Sequence, residues 1–136
     1  MKNHKGIEEC IYRHLKKYPL NIKIIEIGIG KNWYIAEKIK FDGFDIKASD
    51  IKDALPDNDI PFITDDIFEP QLDFYNDADL FYSIRPGIEM LPALISLAEK
   101  TGAELLVYHL GYEIYKNGGE IIDCGVILHR YCKQKN

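Results

Sequence analysis

The sequence has 136 residues, 17 of them Lys or Arg and 22 Asp or Glu, for a net charge of −5. That length supports one domain around one core, and the negative balance argues against a nonspecific grip on nucleic acid, although a local patch such as Lys16-Lys17 or Lys133-Gln134-Lys135 could still touch RNA. A hydrophobic fraction of 46% beside 29% charged residues excludes a disordered chain, and no apolar run is long enough to cross a bilayer. Met1-Lys2-Asn3-His4-Lys5 is basic, but the apolar residues after it are mixed with Glu8, Glu9 and Arg13 rather than forming a secretory core, so a cytoplasmic protein is expected. The three cysteines, Cys10, Cys124 and Cys132, contain no Cys-x-x-Cys pair and read as free thiols. Cys124, His129 and Cys132 do not make a zinc set, because alternation along an extended strand sends His129 and Cys132 to opposite faces; no metal site is expected.

In chain order, Ile7, Cys10, Ile11, Leu15 and Tyr18 fall at helical spacing and predict an amphipathic helix over 6–17, closed by Pro19. Residues 22–27 read as a buried strand that runs into Gly28-Ile29-Gly30. A helix over 33–40 follows, stopping at Gly43, and then a strand over 45–50 with Asp50 at its tip. Residues 51–56 have room for one turn at most, before the loop chemistry of Pro56-Asp57-Asn58-Asp59. A short strand over 61–64 ends in Asp65-Asp66-Ile67, and 70–76 is a brief helical or irregular connector. A strand over 79–84 leads into Arg85-Pro86-Gly87, followed by a helix over 88–100 that stops at Gly102 and a strand over 104–110. Beyond Gly111, Asn117-Gly118-Gly119 predicts a hairpin turn, and 120–124 with 126–132 reads as extended chain interrupted at Gly125 by a turn or bulge. The expected fold is a single three-layer α/β domain of Rossmann-like type over 1–136. Its sheet is mostly parallel with an antiparallel C-terminal edge, and the C-terminus is trimmed.

In open α/β sheets ligands lie off the carboxyl ends of the strands. Read together, those ends present Glu26 with Gly28 and Gly30, then Asp50, Asp65 with Asp66, Ser83 with Arg85, and His109. Glycines allow close backbone approach, the helix N-terminus offers free N–H groups, and a carboxylate about 20 residues on accepts ribose hydroxyls, so the pattern points to an adenosine-containing small molecule. His109 is the candidate base, because its ordinary pKa lies near neutrality. Arg85 is a candidate to hold a substrate carboxylate or phosphate.

Ile25-Glu26-Ile27-Gly28-Ile29-Gly30, the Ala48-Ser49-Asp50 strand end, Asp65-Asp66-Ile67 and above all Tyr82-Ser83-Ile84-Arg85-Pro86 resemble a small uncharacterised archaeal protein family related to the class I S-adenosylmethionine-dependent methyltransferase fold. The resemblance covers about 22–110. It implies S-adenosylmethionine as cofactor, with Glu26, Gly28 and Gly30 along its methionine side, Asp50 on the ribose, and Asp66 with the Ile67 N–H on the adenine edge. Ser83 to Pro86 would face a methyl acceptor. The Asn/Asp-Pro-Pro-aromatic motif of methyltransferases that act on amino groups is absent, which leaves both the acceptor and catalysis itself open.

Gly28-x-Gly30, Asp50, Asp65-Asp66 and Ala78-Asp79 also resemble the NAD-binding regulatory domains of potassium-transport systems. Against that reading, Trp33 stands where the third glycine of Gly-x-Gly-x-x-Gly would admit a diphosphate. The remaining alternative is a non-catalytic subunit beside a partner protein. In an enzyme of this size, a substrate would be gripped by the loops after the fourth and fifth strands, by the N-terminal helix, or by a second subunit of a homo-oligomer.

Overall fold

The computed structural model describes residues 4–54 and 56–135. Met1-Lys2-Asn3, and Leu55 within the 51–56 segment, lie outside the described residues. The elements in order are α1 His4–Leu15, β1 Lys23–Ile27, α2 Tyr34–Phe41, β2 Asp45–Asp50, β3 Phe62–Thr64, α3 Leu72–Tyr75 and β4 Leu80–Ile84. A 3₁₀ turn over Ile88–Met90 follows, then α4 Leu91–Thr101, β5 Glu104–Tyr108, β6 Glu120–Asp123 and β7 Ile127–Cys132. The expected α4 splits because Pro92 lacks an N–H and fits only the first helical turn, so the α-helix starts at Leu91 and 88–90 stay 3₁₀. Gly102, at φ +76°, closes α4 in the left-handed conformation.

The strands form one seven-stranded sheet in the order β3-β2-β1-β4-β5-β7-β6. β1 to β5 run parallel, and β7 inserts antiparallel between β5 and β6. β1, β4 and β5 are almost wholly buried, which is why they read as continuous apolar runs rather than as alternating ones. One face is covered by α1 and α2, where Ile11, Leu15, Ile35 and Ile39 pack on Ile24, Leu80 and Leu106. The other is covered by α4 and Tyr75, where Leu91, Leu94 and Leu97 pack on Ile25, Phe81 and Val107. Between the two outer layers the sheet brings Asp50, Thr64 and Ile84 to the same end, in register with their neighbours.

The hairpin lies elsewhere than expected. β6 and β7 are joined by Cys124-Gly125-Val126, with Gly125 at φ +103° and the Cys124 N–H donated to the Val126 carbonyl at 3.0 Å. Asn117-Gly118-Gly119 precedes β6 instead. Its glycines let the chain pass close over β7: a Cβ on Gly119 would lie 2.5 Å from the Arg130 carbonyl oxygen. The 120–132 segment is therefore a hairpin, and it also carries a bulge, because Leu105 pairs with Cys132 but Leu106 with Arg130. That extra residue changes the face assignment at the end of β7. Tyr131 and Cys132 both pack on the α4 side, where His129 stacks on Tyr131, while Cys124 packs on the α1 side. Strand alternation thus fails to separate His129 from Cys132; the Cys132 thiol points toward the Ile95 carbonyl at 3.9 Å. Among the described residues no His, Cys, Asp and Glu group is arranged to hold a metal ion, and no helix is long and apolar enough to cross a membrane.

Candidate functional site

A cleft of about 450 Å³ opens over the carboxyl ends of β1 to β4, where the strand order reverses between β1 and β4. Its first wall is the turn after β1. Gly28 takes φ +80° and donates its N–H to the Ser49 carbonyl at 2.8 Å, a conformation most residues adopt only with strain. Gly30, at φ +60°, donates its N–H to Asp50 Oδ2 at 2.7 Å, and Asp50 Oδ1 accepts the Lys52 N–H at 2.9 Å. Asp50 therefore pins the glycine turn to the tip of β2. A carboxylate offers about four lone-pair sites, so it keeps two for a ligand.

The second wall follows β3. The Asp65 N–H is held by the Asp50 carbonyl at 2.8 Å, and Asp66 Oδ1 accepts the Phe68 N–H at 2.9 Å, turning the chain so that Ile67 is buried and Phe68 exposed beside the cleft. The Ile67 N–H makes no hydrogen bond among the described residues. Tyr75 forms part of the floor. Its hydroxyl lies 2.7 Å from Asp65 Oδ2 and 3.0 Å from Ser49 Oγ; a carboxylate only accepts, so Tyr75 donates to Asp65 and accepts from Ser49. Ser83, also buried, donates to the Ile27 carbonyl at 2.7 Å and ties β4 to β1 under the cleft.

The third wall follows β4. Arg85 holds φ +53° with its N–H donated to the Tyr108 carbonyl at 2.6 Å, and its guanidinium stands over the Tyr108 ring, 5.3 Å from the centroid. The Glu89 carboxylate folds back over Gly87, where any Cβ would collide with it. A left-handed backbone costs an arginine about 1 kcal/mol. Arg85→Gly is accordingly expected to raise stability by roughly that amount despite losing a side chain, as urea unfolding would measure; an unchanged or lower midpoint would show that the Tyr108 stack outweighs the strain.

Of the residues singled out from sequence, Gly28, Asp50, Asp65, Asp66, Ile67, Ser83 and Arg85 line the cleft. Glu26, Gly30 and His109 do not. Gly30 acts through Asp50. Glu26 lies behind the glycine turn, 3% exposed, and accepts the Tyr82 hydroxyl at 2.6 Å. Burial pushes its pKa up to about 8 against the opposing Tyr82 bond, with the charges of Glu8 and Asp50 adding to the rise. His109 is buried near α4 in a ring cluster: Nε2 lies 2.7 Å from the Tyr131 hydroxyl, the His129 ring is 4.9 Å away, and Nδ1 has no partner. Burial, then His129, lowers its pKa. Sequence reasoning passed over Tyr75, Phe68 and Met90, which also line the cleft, and weighed Glu89 only as a partner for Arg85, with which it makes no ion pair among the described residues.

A family model described as Uncharacterised protein family (UPF0146) matches residues 10–119. The chain belongs to that family. The UPF0146 protein PH0209 of Pyrococcus horikoshii is 34% identical over 130 residues, covering 92% of this chain and 96% of its own. The UPF0146 protein of Archaeoglobus fulgidus is 34% identical over 85 residues; the match takes in 62% of this chain and 65% of that one, just under two thirds of its length. Among solved structures, the sugar N-methyltransferase KedS8 from a Streptoalloteichus species aligns with a TM-score of 0.59 at 14% identity, over 90% of this chain and 56% of that enzyme. An S-adenosylmethionine dependent methyltransferase from Mesorhizobium loti aligns with a TM-score of 0.56 at 16% identity, over 95% and 76%. At such identities the likeness is one of fold: this UPF0146 chain has the Rossmann-like architecture of methyltransferases, as expected from the pattern over 22–110.

Proposed function

We propose that this UPF0146 protein binds S-adenosylmethionine in the cleft and transfers its methyl group to a small acceptor. The observation that carries the reading is the charge and shape of the cleft beside the glycine turn. Asp50 stands at the tip of β2 with lone pairs to spare, and Ile51, Ile67 and Phe68 form an apolar flank next to it. About 450 Å³ suits a ligand of nucleoside size. The donor set fits: Asp50 for a ribose diol, the Ile67 N–H and Asp66 for an adenine edge, and Gly28 for close approach of the chain leading away from the ribose. Bound S-adenosylmethionine would supply an electrophilic methyl group on a positively charged sulfur.

The lining carboxylates of Asp50, Asp65, Asp66 and Glu89 favour such a cation. They oppose the diphosphate of NAD. Trp33, at the start of α2 and packed on Phe62 with ring centroids 5.9 Å apart, also stands where a diphosphate would need a glycine. The S-adenosyl reading is therefore preferred to the NAD reading. With His109 outside the cleft, transfer would rest on in-line positioning and exclusion of water, with Glu89 as the carboxylate nearest an acceptor on the β4 side.

Thermal unfolding of the ligand-stripped protein with S-adenosylmethionine, S-adenosylhomocysteine, NAD, NADH and ATP tests this. A ligand at about 100 times its dissociation constant adds roughly 2.7 kcal/mol to the folded state. A raised midpoint with the S-adenosyl compounds alone is expected; a rise with NAD or NADH alone would overturn the ligand assignment.

A further inference from the structure

Among the described residues that line the cleft, Arg85 is the one cation, and four carboxylates share that cleft with it. A guanidinium in such company ordinarily pairs with an acid. Among the described residues Arg85 makes no ion pair, whereas Arg13 pairs with Glu9, and Arg130 with Glu104 and Glu120. Its backbone explains the isolation. Held at φ +53° by the bond to the Tyr108 carbonyl, and followed by buried Pro86, the residue sends its guanidinium over the Tyr108 ring at the tip of β5. Strands in a sheet lie about 4.8 Å apart, so the order β2-β1-β4-β5 places β5 roughly 14 Å from the strand that ends in Asp50. The guanidinium is thus drawn toward β5, away from Asp50 and over a ring that is not among the cleft's lining residues.

Resting on the S-adenosylmethionine reading of the cleft, we propose that Arg85 is the receptor for a carboxylate carried by the methyl acceptor, bound on the β4–β5 side. A guanidinium stacked by one face on a ring keeps its N–H edge free for a bidentate oxyanion, and backbone strain at a cleft residue is the pattern of a group held for a ligand. A singly charged carboxylate suits this site better than a phosphate dianion, because every lining acid repels the second charge. Met90, half-buried in the cleft lining, gives the rest of such an acceptor an apolar surface.

The chain contains only Arg13, Arg85 and Arg130 as arginines, so nitrogen-15 spectra of the side-chain Nε–H groups read Arg85 directly, assigned by its absence in Arg85→Gln. Acetate, succinate and inorganic phosphate would be titrated with and without S-adenosylhomocysteine. The two carboxylates are expected to shift the Arg85 signal saturably while those of Arg13 and Arg130 stay in place. Arg85→Gln is expected to bind succinate at least 10-fold more weakly. The same variant should bind S-adenosylhomocysteine, and 5′-methylthioadenosine which lacks the amino-acid carboxylate, as tightly as the unsubstituted protein does. Loss of S-adenosylhomocysteine but not of methylthioadenosine would assign Arg85 to the cofactor's own carboxylate and overturn the proposal. So would a response to phosphate alone, or no response of the Arg85 signal to any anion. The titrations without nucleoside do not depend on cofactor binding, so failure of S-adenosylhomocysteine to bind would count against the cofactor reading and leave the Arg85 result to stand or fall separately.

Discussion

Asp50→Asn is expected to weaken S-adenosylhomocysteine binding by roughly 10- to 100-fold, the loss of charge-assisted hydrogen bonds of about 1.5–3 kcal/mol in sum. Asp50 already accepts the Gly30 and Lys52 N–H groups at 2.7 and 2.9 Å, so the carboxylate has two tasks: it shapes the glycine turn, and it presents its remaining lone pairs to the cleft. The asparagine keeps one acceptor oxygen and turns an N–H₂ toward a donor, disturbing both. Calorimetric titration well below the unfolding midpoint separates the effect on affinity from the effect on folding. Tyr75→Phe serves as the comparison, because it removes the hydroxyl bridging Ser49 and Asp65 while leaving the Asp50 carboxylate in place. Affinity unchanged within about twofold in Asp50→Asn would remove Asp50 from the ligand site and leave it only the turn.

The second large effect is one of pH. Glu26 has an ordinary pKa of 4.5 and is held at about 8 in the fold, chiefly by burial. Between those values the native state keeps a proton that the unfolded chain releases, so the folded state binds more protons and stability falls as pH rises. The contribution is complete below about 4.5 and is lost as pH climbs through 8. The slope is at most about 1.4 kcal/mol per pH unit, a few kcal/mol across the window. Glu26→Gln keeps an acceptor for the Tyr82 hydroxyl and cannot ionise. It is expected to match the unsubstituted protein near pH 5 and to exceed it by a few kcal/mol near pH 9, in urea unfolding at each pH. Comparing the two proteins cancels the titration of His14 and His109, which both share. Parallel pH profiles would show that Glu26 ionises in the fold as it does in water.

The part of the site that was readable beforehand lies where local pattern and tertiary structure agree. The run from β1 through the glycine turn to Asp50 needs a buried strand, a positive φ and an acid at a strand tip, and each leaves its own residue type in the sequence. Where one residue type serves two ends, the reading failed. Asn117-Gly118-Gly119 has hairpin chemistry, but its glycines are there to clear β7, and the hairpin formed at Gly125. His109 shows a different limit. Its place at the carboxyl end of the fifth strand and an antiparallel C-terminal edge were both expected, but the insertion of β7 between β5 and β6, which delivers Tyr131 and His129 against it, is a long-range pairing with no local signature. Likewise the bulge opposite Leu105 and Leu106 undid the alternation argument for His129 and Cys132. Tyr75, in a one-turn helix within a connector, carried no periodicity to announce that its hydroxyl would close the cleft floor.

The most direct test of the S-adenosylmethionine site is a crystal structure of the protein grown with S-adenosylhomocysteine. The expected result is density across the carboxyl ends of β1 to β4, with both ribose hydroxyls within hydrogen-bond distance of Asp50, the adenine against Ile51 and Ile67 with a ring nitrogen at the Ile67 N–H, and the amino-acid end running past Gly28 toward β4. An empty cleft at saturating ligand, or a nucleoside bound with its ribose away from Asp50, would contradict the assignment.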